Sequence, residues 1–296
     1  MTTRRRSVLL GAAGVLLLAA CTSTAATPSA ATPEPPRAEG VPEPVKITYG
    51  ADPSQLGELH LPAGTGPVPV VVVVHGGYWR AAYGYDLGTP LAADLANRGV
   101  AAWNIEYRRV GDGGGWPATF LDVAAAVDAL AGAVQDAAGG RLDLNDVRAV
   151  GHSAGGHLAV WAAGRPSLPA GAPGAGPAVR LTRVVSQAGV LDLVGASELG
   201  LGGGASDELL GGPSAAQPER YALASPLARL PIGRPVTCVH GDADVTVPIS
   251  QSETYVAAAT ATGDPAVLVT LPGVDHFALI DVSTTAWAAC RDALLG

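Results

Sequence analysis

A chain of 296 residues, 48% hydrophobic and 15% charged, carries enough apolar side chains for a buried core and is too apolar to remain disordered. Its formal net charge of −8, a single lysine (Lys46) and the lack of any Lys/Arg run after residue 6 exclude a polyanion as partner, since nucleic acid is bound by clustered cations. The 39 glycines and 24 prolines follow no fixed period, which argues against a repeat architecture.

In chain order, Arg4, Arg5 and Arg6 precede an apolar run from Val8 to Ala20 that ends at Cys21. A positive head and an apolar middle of about a dozen residues is signal-peptide geometry, short for a membrane span. Arg5-Arg6-Ser7-Val8-Leu9 resembles the twin-arginine export signal. Leu18-Ala19-Ala20-Cys21 resembles the lipobox of bacterial lipoproteins, in which the cysteine is acylated. Residues 1–21 are therefore expected to direct export, with Cys21 lipidated and the protein on the outer face of the cytoplasmic membrane by that anchor alone. Residues 22–44 are rich in Thr, Ser, Ala, Pro and Glu and nearly devoid of large apolar side chains, the composition of a flexible tether. Residues 45–296 form the expected folded domain.

Within it, Val45–Tyr49 and Glu58–Leu61 read as an opening strand pair, and Val68–Val74 as a strand buried on both faces. Leu87–Arg98 is an expected helix stopped by Gly99, followed by a strand over Val100–Glu106 and a helix over Pro117–Val134. Val147–His152 reads as a strand and Ala154–Gly164 as a helix of small residues. Val184–Val190, Pro235–His240 and Val267–Leu271 complete the strands, and Ser250–Thr262 and Thr284–Leu295 the helices. Such alternation predicts a mostly parallel sheet with helices on both faces. Arg165–Val179 and Gly195–Ala224 break the rhythm and read as Gly/Pro/Ala-rich insertions above the sheet. The exported compartment permits a Cys238–Cys290 disulfide, whereas the apolar run around Cys238 favours a buried free thiol.

Gly151-His152-Ser153-Ala154-Gly155 follows a strand and opens a helix, the context in which G-x-S-x-G places a serine on a tight turn. A serine hydroxyl attacks only when a base takes its proton. His276, in a loop after the last strand, is best placed for that role. His60, His75, His152, His157 and His240 have duller structural readings, and His75 is expected to order its own loop. The orienting acid is assigned to Asp244 in His240-Gly241-Asp242-Ala243-Asp244-Val245-Thr246-Val247-Pro248. Asp242 is expected to stabilise that loop locally, and Asp275 is a weaker competitor. An oxyanion site needs backbone donors, and the N–H groups of Ala154, Gly76 and Gly77 are the candidates. Tyr78 and Trp79 could line a substrate pocket. The chain has no H-E-x-x-H, no zinc-ligand spacing and no phosphate-cradling loop, so no metal or organic cofactor is expected.

Together these residues resemble the α/β-hydrolase superfamily over residues 45–296. His75-Gly76-Gly77-Tyr78-Trp79, Glu106-Tyr107-Arg108 and Gly151-His152-Ser153-Ala154-Gly155-Gly156 resemble its carboxylesterase, kynurenine formamidase and feruloyl-esterase branch. Tyr221-Ala222-Leu223-Ala224-Ser225-Pro226-Leu227 is similar to a segment of prolyl-oligopeptidase relatives. The resemblance implies a mostly parallel eight-stranded sheet with small cap-like insertions, and a serine hydrolase acting on small-molecule acyl esters through Ser153, His276 and Asp244. An amidase, exopeptidase or formamidase of the same fold is the alternative, and a tethered binding protein without chemistry is the third reading.

Overall fold

The pleat of the valine run Val68–Val74 sends Val70, Val72 and Val74 into one core and Val71 and Val73 into another. A strand apolar on both sides must lie inside a sheet covered on both faces. In this computed structural model, which describes residues 1–2 and 32–296, that is where it sits. The sheet contains β1 (Val45–Thr48), β2 (Leu56–His60), β3 (Val68–Val74), β4 (Ala101–Ile105), β5 (Leu142–His152), β6 (Arg183–Gln187), β7 (Val236–Gly241) and β8 (Ala266–Leu271). Its eight strands run in the order β1-β2-β4-β3-β5-β6-β7-β8. β1–β2 and β2–β4 pair antiparallel, and every pair from β4 onward is parallel.

The helices are α1 (Thr89–Asn97), α2 (Ala118–Asp128), α3 (Ala133–Ala137), α4 (Ala154–Ala163), α5 (Leu193–Glu198), α6 (Leu201–Leu210), α7 (Pro218–Ala224), α8 (Ser250–Ala261) and α9 (Thr285–Leu295). α1 and α9 cover one face of the sheet through Leu91, Leu95, Trp287 and Leu294. α2, α4 and α8 cover the other through Phe120, Val123, Leu158 and Tyr255. Cys238 lies in the core that holds Val70, Val72 and Val74, Cys290 in the one that holds Val71 and Val73, and both are buried free thiols.

Three expectations are revised. The helix expected over Pro117–Val134 breaks, because Gly132 adopts φ −138°, ψ −114° between a 3-10 turn at Ala129–Ala131 and α3. β5 starts earlier than Val147, pairing Leu142 with Val68 before a register shift brings Val147 opposite Val70. The stretch expected as an irregular insertion, Gly195–Ala224, is helical in large part, carrying most of α5 and all of α6 and α7. Its glycines misled the reading for a physical reason. Gly202, Gly203 and Gly204 sit at φ 61°, 69° and 82°, a left-handed kink that L side chains rarely adopt. Arg165–Val179 holds only the short 3-10 turn Arg165–Ser167, yet it is pinned by buried Arg165, whose guanidinium lies 2.6 Å from Asp128.

The described part of the expected tether, residues 32–44, has no helix or strand but is fastened to the domain. Ala38 N–H donates to Asn97 Oδ1 at 2.8 Å, and Asn97 Nδ2 donates to Pro36 O at 3.0 Å. The expected export signal, its lipidation site Cys21 and the first part of the tether lie outside the described residues. Among the described residues no helix is long and apolar enough to cross a membrane.

Candidate active site

Ser153 stands between the last residue of β5 and the first of α4, with φ 54° and ψ −118°. A non-glycine residue in that region costs on the order of 1–3 kcal/mol, so its surroundings must hold it. Its N–H donates to Gln187 O on β6 at 2.8 Å, and its carbonyl accepts His157 N–H at 3.1 Å. The flanking glycines let the turn close. A Cβ on Gly151 would lie 2.2 Å from Gly155 O, and one on Gly155 2.1 Å from Val74 O. All ten residues of α4 are buried behind the turn. As the first residue of that helix, Ala154 has an N–H with no intrahelical partner.

Loops at the carboxyl ends of β7 and β8 bring two further residues to this turn. His276 Nδ1 lies 2.6 Å from Asp244 Oδ2. The His276 carbonyl accepts His152 Nε2–H at 2.9 Å, and the two rings lie 4.4 Å apart. His276 is thus docked on the residue preceding Ser153. Among the described residues no direct hydrogen bond joins the Ser153 hydroxyl to His276. Such contacts often tighten only when substrate is bound.

The Asp244 side chain is buried and receives hydrogen bonds on both oxygens. Oδ1 accepts Thr246 N–H at 2.8 Å and Val247 N–H at 2.9 Å, and Oδ2 faces His276 and, at 3.3 Å, His240 Nε2. Burial alone raises a carboxyl pKa, but hydrogen bonds from His240, His276 and the Val247 amide outweigh it and hold Asp244 well below the usual carboxylate range. It is an anion facing the ring nitrogen of His276.

Of the other acids, Asp242 accepts Gly273 N–H at 2.6 Å and ties the two loops together. Asp275 accepts Phe277 and Ala278 N–H, each at 3.0 Å, and is spent on that turn. His152 and His157 are both neutral. Burial and the neighbouring His276 push His152 down to about 3, and burial pushes His157 down to about 4.

Gly76 lies against the serine, since a Cβ on it would be 3.1 Å from Ser153 Cβ. Gly77 follows at φ 108°. Neither amide donates to a backbone carbonyl among the described residues. Tyr78 reaches across to the Asp244 loop, its hydroxyl donating to Thr246 O at 3.0 Å, and its ring faces Gly202, where a Cβ would come within 2.4 Å. Trp79 departs from its expected place at a pocket. It is 1% exposed, and its indole N–H donates to His157 Nδ1 at 3.1 Å, so it packs in the core behind the loop.

Two residues went without a role in the sequence. His240 sits beside Asp244, with Nε2 also 3.0 Å from Val247 O and Nδ1 2.8 Å from Ser252 Oγ. Glu106 lies beneath the Gly76–Gly77 loop, its carboxylate 2.9 Å from His75 Nε2. Both belong to quoted motifs, but their partners are set by tertiary contacts that spacing does not encode. Among the described residues no group of three or more His, Cys, Asp or Glu is placed to hold a metal ion.

A 1-2-4-3-5-6-7-8 sheet with a strained serine turn at the end of its fifth strand defines the α/β-hydrolase fold. Residues 58–258 match the BD-FAE family model, and the chain belongs to that family. It is similar to esterase LipC of Mycobacterium tuberculosis, 32% identical over an alignment of 280 positions that covers 84% of this chain and 63% of that protein. The chain therefore spans less than two thirds of that relative's length. Solved structures share the fold at lower identity. A truncated carbohydrate esterase from gut microbiota superposes with a TM-score of 0.74 at 22% identity, covering 87% of this chain and 97% of its own. Esterase B from Lactobacillus rhamnosis gives 0.72 at 22% identity, covering 88% and 85%. A butyrate-bound thermophilic esterase of the planctomycete Thermogutta terrifontis gives 0.67 at 21%, covering 86% and 92%.

Proposed function

We propose that the chain is a serine esterase that cleaves carboxylic esters of small molecules through an acyl-enzyme. The observation that carries this reading is the 2.6 Å contact between the buried Asp244 carboxylate and His276, docked on the turn that strains Ser153. Ser153 Oγ attacks the acyl carbonyl while His276 Nε2 takes its proton. Asp244 accepts the Nδ1–H of His276 and stabilises the imidazolium that forms. The Gly76, Gly77 and Ala154 amides receive the oxyanion. His276 then protonates the leaving alcohol, and water enters by the reverse steps to free the acid. The esterase names of its relatives support the ester class.

Short-chain nitrophenyl esters test the reading. Wild-type protein should release nitrophenol and be labelled by a fluorophosphonate. Ser153→Ala should lose labelling and on the order of 10⁴-fold or more of kcat. Unchanged turnover in that variant would overturn the assignment. Export belongs to the same reading, supported by the Arg4–Arg6 head, the apolar run and Cys21.

A further inference from the structure

The groups behind the Gly76–Gly77 loop explain how two backbone amides are aimed at one point. In a trans peptide the C=O and the following N–H point in opposite directions, so fixing one fixes the other. The His75 carbonyl accepts Tyr107 Oη–H at 2.9 Å, which sets the peptide that carries the Gly76 N–H. The Gly76 carbonyl lies 2.8 Å from His75 Nδ1, which sets the peptide that carries the Gly77 N–H. Each of the two loop donors, Gly76 and Gly77, thus has the carbonyl of its peptide held from behind by a side chain.

The two contacts of His75 fix its charge as well. Nδ1 faces a carbonyl oxygen at 2.8 Å, and Nε2 faces Glu106 Oε1 at 2.9 Å. Both partners only accept, because Glu106 is ionised. Burial acts to raise Glu106, but apart from His75 its oxygens already accept Tyr107 N–H at 2.8 Å, Tyr85 N–H at 3.1 Å and Arg109 Nη1–H at 3.1 Å, and it is held below the usual carboxylate range. A neutral imidazole offers one N–H, so only the doubly protonated ring satisfies both contacts. Tyr107 stacks flat on that ring, 4.4 Å between centroids and 8° between planes, presenting its π face to the cation. The charged and titratable neighbours are Glu106, Tyr107, Arg109 (3.1 Å from Glu106) and, across the loop, neutral His152 beside Gly76.

We propose that His75 is a fixed imidazolium clamped between Glu106 and the Gly76 carbonyl. With Tyr107 it aims the Gly76 and Gly77 N–H groups at the oxyanion. His75, Glu106 and Tyr107 are positioning residues, and their role rests on the serine-hydrolase reading above. They touch no reacting atom, so they set the transition state while leaving ground-state binding almost alone.

The test uses full-length protein labelled with ¹⁵N-histidine. At neutral pH the His75 ring, assigned by its loss in His75→Gln, should show two protonated nitrogens, and in Glu106→Gln it should show one. With nitrophenyl acetate, Tyr107→Phe should lower kcat about tenfold with KM changed less than twofold. A single protonated nitrogen on wild-type His75 overturns the proposal, as does kcat within twofold of wild type in both Tyr107→Phe and Glu106→Gln. If a variant fails to fold, the wild-type ring state decides alone. Wild-type protein inert to both ester and fluorophosphonate would overturn the hydrolase reading and this role together, which separates the two failures.

Discussion

At Asp244 burial and hydrogen bonding compete directly, and hydrogen bonding wins. The consequence for stability has a definite sign. Its folded pKa lies below the unfolded value of about 4, so it adds stability that is complete above that value and drains away as pH falls. Asp244→Asn keeps the size of the side chain but forfeits the charge that His240 and His276 surround. Wild type should therefore exceed the variant in Tm at pH 7, with the gap narrowing progressively below about pH 4. Thermal melts across that range check it, and a gap that stays constant would show that Asp244 is not ionised in the fold. At neutral pH the same variant should lose about 10⁴-fold in kcat, because the amide leaves His276 in the wrong tautomer.

Elements whose reasons are local were legible in the sequence. The valine strand β3 and the pair β1–β2 fall within one or two residues of their expected places, since continuous apolar runs and short alternating ones carry their own periods. Ser153, Asp244 and His276 could be nominated because each sits in a short motif at a strand end, and the structure places them at one end of the sheet. Elements whose reasons are tertiary were not legible. The helices of the 195–224 stretch are hidden by a glycine kink, Trp79 is turned inward by a contact with a helix 78 residues away, and Glu106 acts through a loop 31 residues earlier.

The close approach of α4 to β3 makes a sharp prediction. Glycine at position 155 lets α4 approach the end of β3, where any Cβ would stand 2.1 Å from Val74 O and 2.5 Å from His75 O. Both obstacles are backbone and cannot swing aside. Gly155→Ala should cost about 3 kcal/mol or more despite the better helix propensity of alanine. Gly140→Ala makes no such contact, but its φ of 77° adds strain of about 1 kcal/mol. Urea unfolding should rank Gly155→Ala well below Gly140→Ala. An equal loss in the two would mean that the turn tolerates a wider gap between helix and strand.

At the scale of the whole molecule the sheet divides the interior into two cores, and this decides the fate of the cysteines. Cys238 points from β7 into the core under α2, α4 and α8, whereas Cys290 points from α9 into the core on the opposite face. A disulfide needs Cα atoms within about 7 Å on converging side chains, so an intact sheet between them forbids it even in an oxidising compartment. Burial also pushes both thiols up to about 12, leaving almost no thiolate at neutral pH. In a Cys21→Ser background the folded protein should not react with Ellman's reagent and should melt at the same temperature with or without reductant. After unfolding in guanidinium it should release two thiols, Cys238 and Cys290. A native protein that releases no thiol even when unfolded would reveal a disulfide, and with it a sheet that does not separate the two faces as described.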